Sequence, residues 1–353
     1  MRESAWDEAA DAMQAVILAG GEGTRLRPLT SRVAKPVVTL VDRPFIAFML
    51  EWVQRHGVTD VVLACGFRAD GVREVLGDGS HYGLRLQYAE EPEPLGTGGA
   101  VRHAAELLDE RFLVCNGDVL TDFDLDAQRE QHERTGAVAT LALISVDDPS
   151  AFGLVRCDAD GAVREFVEKP STTGDGPSLV SAGAYMLERS VLDLIPPDRA
   201  VSLEREIWPA LIGRGLYGHV TSGYWLDIGT PERYLQGSFD IIGGIVQTDI
   251  ESRAGSAFIG AGCEIADDAR IGAQVVLGAG VRIGSATSVE RSVVLEGAQI
   301  AAGCVLRNSI VAERAKIGPH TELEDGVVVG ADAEIGGNER LVAGTRVEPG
   351  EFA

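Results

Sequence analysis

Two rules of hydrophobic spacing govern this chain, and they change over near its final quarter. Up to about Ile195, short apolar runs of strand length alternate with segments whose apolar residues recur at helical spacing. Ala15-Val16-Ile17-Leu18-Ala19 opens the series as a buried strand. Phe45 to His56 reads as a helix closed by Gly57, Val58 to Cys65 as a strand, Ala69 to Leu76 as a short helix, and Leu84 to Tyr88 as a strand. A glycine turn, Leu95-Gly96-Thr97-Gly98-Gly99, then opens a helix through Leu108, and the strand Phe112 to Cys115 ends in Asn116-Gly117-Asp118. This rhythm predicts an α/β fold, a Rossmann-like doubly wound mixed sheet that binds ligands beyond the carboxyl ends of its strands. Further on, Val138 to Val146 is a strand, Leu154 to Cys157 and Ala162 to Val167 flank the hairpin signal Asp160-Gly161, and Leu179 to Leu187 is another strand. Ser202 can cap a helix through Leu211, Tyr224 to Asp227 ends a strand, and Thr230-Pro231 starts a helix with cap then proline.

From about Phe258 the spacing changes. Ile259, Ile265, Ile271, Leu277, Ile283, Val289 and Leu295 recur every six residues; after a break near Arg307-Asn308 the period resumes at Ile317, Leu323, Val329, Ile335, Leu341 and Val347. A hexapeptide period of aliphatic residues predicts a parallel β-helix whose stacked coils share one core. The expected organisation is a flexible extension over 1–13, a catalytic domain over 14–240, a linker over 241–257 and the β-helix domain over 258–353. Met13 would serve equally well as a start.

Charge narrows the partners. A formal net charge of −23 leaves no general basic surface, which argues against nucleic-acid and anionic-membrane partners. Any phosphate site must be a local basic island. The five cysteines, odd in number and without CxxC spacing, sit mostly in apolar runs as reduced thiols, and no run reaches transmembrane length. A cytoplasmic protein is expected.

The basic island follows the first strand: Ala19-Gly20-Gly21-Glu22-Gly23-Thr24-Arg25-Leu26-Arg27-Pro28, with Lys35-Pro36 downstream. Glycines let backbone amides approach phosphate, and Arg25 and Lys35 add the charge that amides lack. A surface glycine turn with solvated arginines would look similar. A Walker loop requires Gly-x4-Gly-Lys-Ser/Thr, which is absent, and the dinucleotide fingerprint lacks its third glycine here. Asp118 and Asp227, taken singly, are as readily turn or cap residues as metal ligands, and Glu168-Lys169 could be a surface ion pair.

Taken together these segments resemble the signature of sugar-nucleotide pyrophosphorylases. The likeness runs through Glu93-Pro94-Leu95-Gly96-Thr97-Gly98-Gly99, Asn116-Gly117-Asp118, Phe166-Val167-Glu168-Lys169-Pro170, Ser202 to Pro209 and Trp225-Leu226-Asp227-Ile228-Gly229-Thr230. With the hexapeptide helix it covers nearly all of the chain after Met13 and is most similar to the mannose-1-phosphate guanylyltransferases. The resemblance implies a nucleotidyltransferase fold, a left-handed β-helix, a homo-oligomer, and the joining of a nucleoside triphosphate to a sugar 1-phosphate with release of pyrophosphate. It implies nucleotide binding by Leu18, Gly20, Gly21, Gly23, Thr24, Glu91, Gly96 and Thr97. Arg25 would hold the leaving pyrophosphate, Lys35 phosphate oxygens, and Lys169 the sugar phosphate. Asn116, Gly153, Glu168 and Ser181 would meet the sugar phosphate, and Asp118 and Asp227 would hold Mg2+.

Specificity rests on two positions. Guanine presents two donors on one edge, and a carboxylate is their bidentate acceptor, so Glu91 points to GTP. Ser181 stands where the guanylyltransferase pattern has asparagine; mannose 1-phosphate is the first expectation, with glucose, heptose or cyclitol phosphates as alternatives. A non-catalytic regulatory homologue is disfavoured because Arg25, Lys35, Asp118 and Asp227 are all present. Acyl transfer at His320 is disfavoured because no second catalytic partner accompanies it.

Overall fold

The computed structural model describes residues 13–171, 176–251 and 257–353. The expected extension therefore lies, except for Met13, outside the described residues, as does 252–256 of the expected linker. By internal contacts the described chain forms two compact units. The first holds the residues up to Gly21 together with Met49–Trp225; the second holds Glu22–Phe48 together with Leu226–Ala353. Grouping by contact thus differs from the order along the chain, because Glu22–Phe48 belongs with the β-helix unit.

The first unit is built on a nine-stranded mixed sheet. Its strands are β1 (Met13–Leu18), β2 (Val58–Cys65), β3 (Arg85–Glu90), β4 (Arg111–Asn116), β5 (Ala139–Val146), β6 (Gly153–Cys157), β7 (Val163–Glu168), β8 (Ser178–Glu188) and β9 (Leu216–Val220). They are ordered β7-β6-β8-β4-β1-β2-β3, with β5 pairing β8 and β9. β4, β1, β2 and β3 run parallel, so Leu18, Asn116 and the end of β3 reach one edge together. β8 is antiparallel to β4, and its register against β5 shifts between Ser181 and Tyr185. Such a bulge bends a strand and re-aims its side chains. The strands of the parallel core are near-continuous aliphatic runs because both faces are covered; Val16, Ile17, Val62, Leu63, Leu113 and Val114 are fully buried.

One helix escapes hydrophobic patterning. Leu125–Thr135 buries Leu125, Gln128 and His132, a helical spacing filled mostly by polar residues. Asp124 caps its start by accepting from the N–H groups of Asp126 and Ala127, and Gly136 in the left-handed conformation ends it. Those two punctuation residues were its only strong signal in the sequence.

In the second unit, residues from Phe258 form three stacked parallel sheets of six, five and five short strands, the architecture of a left-handed β-helix. Every strand after the first contributes its aliphatic residue to the shared core, whereas Ile259 on the first strand is exposed. The six-residue spacing is interrupted twice, at Val289 to Val294 and at Leu306 to Ile310-Val311. Val294, not Leu295, therefore takes the strand position paired with Leu277 and Val311. A five-residue step places Arg291 and Asn308 in the left-handed region at two successive corners. There the buried hydroxyls of Ser292 and Ser309 lie 3.3 Å apart, and the Ser292 hydroxyl accepts from the Ser309 N–H. Leu295 is also buried, which is why the period alone did not reveal the first short step.

Candidate active site

In the first unit the expected site residues gather along the carboxyl edge of the parallel strands. Leu18 ends β1, and Gly20 follows it against Glu91: a Cβ on Gly20 would stand 2.9 Å from Glu91 Oε1. The other oxygen, Glu91 Oε2, accepts the Leu95 N–H at 2.9 Å. Burial pushes the Glu91 carboxyl above its ordinary range, and the Leu95 N–H partly offsets this by favouring the charged form. Gly96 at φ +69 turns the chain into the helix Gly96–His103. The Thr97 hydroxyl is engaged within the protein. It donates to Glu204 Oε2 at 2.7 Å and accepts the Leu203 N–H at 2.9 Å, tying this turn to the segment after Ser202.

Asn116 ends β4 and packs against Gly183 in the β8 bulge. Its Oδ1 is buried with no hydrogen-bond partner among the described residues. A buried acceptor without a protein partner is where a ligand donor would be satisfied. Around it stand Ser181, whose hydroxyl donates to Tyr185 at 3.2 Å, and Tyr185, which reaches Glu204 Oε1 at 3.5 Å. The Tyr185 phenol is held neutral, first by burial and then by the nearby Glu204 charge. Glu168, at the end of β7, has its carboxyl pushed up by burial and then by Glu204. Gly153 pairs with Glu168, and the space beside its α-carbon is filled by the Phe166 ring and Glu168 Oε2, so it admits those side chains instead of leaving bare backbone. Lys169 follows at φ +51, a conformation costly for a residue with a Cβ, pinned by its N–H donating to Phe152 O at 3.0 Å. Its ammonium lies 4.0 Å from Glu168 and is well exposed. Asp118 is half-buried in the turn after Asn116. Neither Glu204, inside the Ser202 to Pro209 motif, nor Tyr185 carries a role in the sequence pattern. Both become visible only when β8 and the Ser202 segment come together.

The second unit holds the other basic and acidic candidates. Gly21, the last residue of the first unit's opening segment, is exposed. Gly23, at φ +63, precedes the short turn Thr24–Leu26, and Thr24 and Arg25 are exposed on it. Lys35 is 8% exposed and starts the turn Lys35–Val37 beside Gly23. Asp227 and Arg25 converge on one place: a Cβ on Gly229 would meet Asp227 Oδ1 at 2.6 Å and Arg25 Nη2 at 2.7 Å. Glycine is required there so that a guanidinium and a carboxylate can close over the backbone.

Asp118 in the first unit and Asp227 in the second are each half-buried carboxylates, and oxygen donors of this kind suit a hard divalent cation that keeps phosphate and water as further ligands. Another group, His56, Asp124 and Asp126, brings ligand atoms within 4.8 Å of one another. Its members already have duties: Asp124 caps a helix, and Asp126 accepts from His56 Nδ1 at 3.0 Å. It also lies near the amino end of β2, the opposite edge from Asn116. His320 occupies an exposed corner of the β-helix at φ +57.

A mixed α/β sheet with polar groups at the carboxyl edge of its parallel strands is built as open α/β ligand-binding folds are, with a hexapeptide β-helix following it in the chain. The comparisons make this specific. Residues 14–242 match the nucleotidyl transferase family and residues 253–351 the GMPPB C-terminal domain. The chain belongs to the nucleotidyl transferase family and is a nucleotidyltransferase. It is 39% identical over 300 residues, 83% of each chain, to a mannose-1-phosphate guanylyltransferase of Mycobacterium tuberculosis. It is 34% identical over 352 residues, 96% of each chain, to a mannose-1-phosphate guanyltransferase of Candida albicans. Among solved structures, HddC from Yersinia pseudotuberculosis complexed with GMP-PN superposes with a TM-score of 0.57 at 28% identity, covering 65% of this chain and 99% of that one.

Proposed function

We propose that the chain joins GTP and mannose 1-phosphate to give GDP-mannose and pyrophosphate. The observation that carries this reading is the convergence of Arg25 and Asp227 over Gly229, where a cation of the signature turn meets a metal-competent carboxylate of the Trp225–Thr230 segment. A phosphate oxygen of the sugar 1-phosphate attacks the α-phosphorus of GTP in line, the new P–O bond forms, and the bond to pyrophosphate breaks. The nucleophile is already ionised near neutral pH, so no general base is needed and catalysis is positioning plus charge neutralisation. Gly20, Gly21 and Gly23 give backbone amides to the nucleotide phosphates, and the space beside the Gly21 α-carbon is open. Arg25 holds the leaving pyrophosphate, Lys35 the transferred phosphoryl oxygens, and Lys169 the sugar phosphate, while Asn116, Glu168 and Ser181 orient the sugar. Asp118 and Asp227 hold Mg2+, which when bound neutralises phosphate charge. Glu91 selects guanine by accepting from its N1 and N2 donors. A cytoplasmic setting is part of the same reading, and the described cysteines are free. Self-association as a homo-oligomer is the expected assembly.

Pyrophosphate release over a matrix of nucleoside triphosphates and sugar 1-phosphates, with and without Mg2+, tests the reading. GTP with mannose 1-phosphate should lead, and Glu91→Gln should erode the preference for GTP. Equal turnover of dTTP or UTP by the unaltered chain would refute the Glu91 assignment. Ser181 supports a second reading of the sugar, since its hydroxyl, committed to Tyr185, reaches less far than asparagine. Faster turnover of a heptose or cyclitol phosphate would favour that reading.

A further inference from the structure

The turn carrying Arg25 and Lys35 does not stand alone. Within the second unit, the segment Glu22–Phe48 is fastened to one corner of the β-helix over three successive coils. The corner residues follow each other in a ladder: the Asp332 N–H donates to Glu313 O, and the Gly350 N–H to Ala331 O. From this corner three acidic side chains and a carbonyl take hold of the segment. Glu348 Oε2 accepts the Ser31 hydroxyl at 2.8 Å. Asp332 Oδ2 accepts Arg32 Nη1 at 3.2 Å, and Pro349 O accepts Arg32 Nη2 at 2.7 Å. Glu313 Oε1 accepts the Thr39 hydroxyl at 3.0 Å.

Each anchor is itself held. Asp332 accepts two bonds from Arg314, at 2.7 and 2.9 Å, so its carboxylate is fixed in the direction of Arg32. Arg32 lies so close to the corner backbone that a Cβ on Gly350 would stand 2.6 Å from Nη2. Thr39 is gripped from a second side by Tyr234, a buried side chain on the helix Pro231–Ile242, whose hydroxyl donates to Thr39 O at 2.5 Å. Lys35 falls between the two anchored points, Ser31-Arg32 and Thr39. The residue before the first anchor, Thr30, donates its hydroxyl to Gly23 O at 2.8 Å and so braces the turn from which Arg25 projects.

We infer that the Glu313–Asp332–Glu348 corner of the β-helix is a positioning device for nucleotide binding. It holds Arg25 and Lys35 in the geometry that receives the triphosphate, so the β-helix enters the reaction without touching substrate. The inference rests on the functional reading of Arg25 and Lys35 given above. A side chain swinging free on a loop loses conformational freedom when it binds phosphate; one already held by its loop loses less, and this preorganisation appears in nucleotide affinity. Exposed pairs contribute little to global stability, so these anchors at three adjacent coils act on loop placement.

The test uses the full chain and the variants Arg32→Ala, Asp332→Asn, Glu313→Gln and Thr39→Val, none of which alters a substrate-contacting group. Two readouts are taken: backbone hydrogen exchange over 22–48, and steady-state KM and kcat for GTP at saturating mannose 1-phosphate. Expected are exchange at least tenfold faster over 24–38 with the β-helix amides unchanged, and a KM for GTP raised roughly five- to twentyfold. The KM for mannose 1-phosphate and the melting temperature should stay near the unaltered values. Arg32→Lys should recover part of the loss, and Arg32→Ala with Asp332→Asn should be less than additive. Faster exchange with an unchanged KM for GTP would overturn the positioning role, and unchanged exchange would overturn the fastening itself. If the unaltered chain turned over no GTP, the functional reading would fail while the exchange experiment still decided the fastening.

Discussion

Replacing Gly229 by alanine isolates the Arg25–Asp227 arrangement from general stability. Gly229 is buried, and its backbone lies outside the left-handed region, so alanine is conformationally acceptable there. The new methyl would meet Asp227 Oδ1 at 2.6 Å and Arg25 Nη2 at 2.7 Å, against an ordinary contact of about 3.4 Å or more. Each group must therefore retreat by roughly 0.7–0.8 Å. Both atoms end flexible side chains, so the movement costs little folding energy, and the melting temperature should fall by no more than a few degrees. Function should suffer far more. A misplacement of about 1 Å in a positioned catalytic group costs on the order of 100-fold, equivalent to about 2.7 kcal/mol of transition-state stabilisation. The assay is coupled pyrophosphate release with GTP, mannose 1-phosphate and Mg2+. The expected result is kcat/KM lowered on the order of 100-fold, mainly through kcat, in a normally folded protein. Wild-type kcat/KM in Gly229→Ala would refute the claim that Arg25 and Asp227 act together at this point.

Other outcomes follow from the same structure. Asp118→Ala or Asp227→Ala should abolish nearly all turnover, with no rescue by excess Mg2+; near-normal activity in either variant would sink the metal assignment. Glu204→Gln changes a carboxylate that accepts from Thr97, Ser202 and Tyr185, and should raise the KM for the sugar phosphate several-fold while lowering stability by about 1–3 kcal/mol in urea titration; an unchanged KM would restrict Glu204 to a structural role. In the β-helix, Ile317→Ala removes a core side chain 2% exposed and should cost about 2–5 kcal/mol by calorimetry; a loss below 1 kcal/mol would contradict a tightly packed stack. His132 has its imidazole pushed below the ordinary range, first by burial, although Glu188 opposes this. A histidine whose native pKa lies below its unfolded value, about 6.5, contributes stability that is present above that value and is lost as pH falls through it. The urea midpoint should therefore drop between pH 7.5 and 5.5, less steeply in His132→Gln, and a rise over that window would reverse the assignment.

Much of the molecule was legible before any coordinates. The parallel core was readable because strands buried on both faces must be continuous aliphatic runs, and the β-helix because every sixth residue has to fill one shared core. Residue types at the ends of those runs marked the candidate site: glycines with Arg25, Asn116-Gly117-Asp118, and Glu168-Lys169 before proline. What escaped was local and polar. Leu125–Thr135 folds as a helix with Gln128 and His132 on its buried face, where hydrophobic spacing carries no signal. The short coil steps at Ser292 and Ser309 were hidden because Val294 and Leu295 are adjacent and both aliphatic.

The partners of the site residues were decided in three dimensions. Thr97 and Glu204 are 107 residues apart, yet the Thr97 hydroxyl is spent on that carboxylate. Asn116 Oδ1 finds no partner among the described residues because the β8 bulge packs against the side chain at Gly183 without bonding that oxygen. Ser31 and Glu348 are 317 residues apart, and their contact is one of those that join the glycine–arginine segment to the β-helix. Periodicity is imposed by burial along one element, so it is written into consecutive residues and can be read there. Hydrogen-bond partners depend on which element ends meet after the chain has closed on itself, and no single stretch of sequence records that.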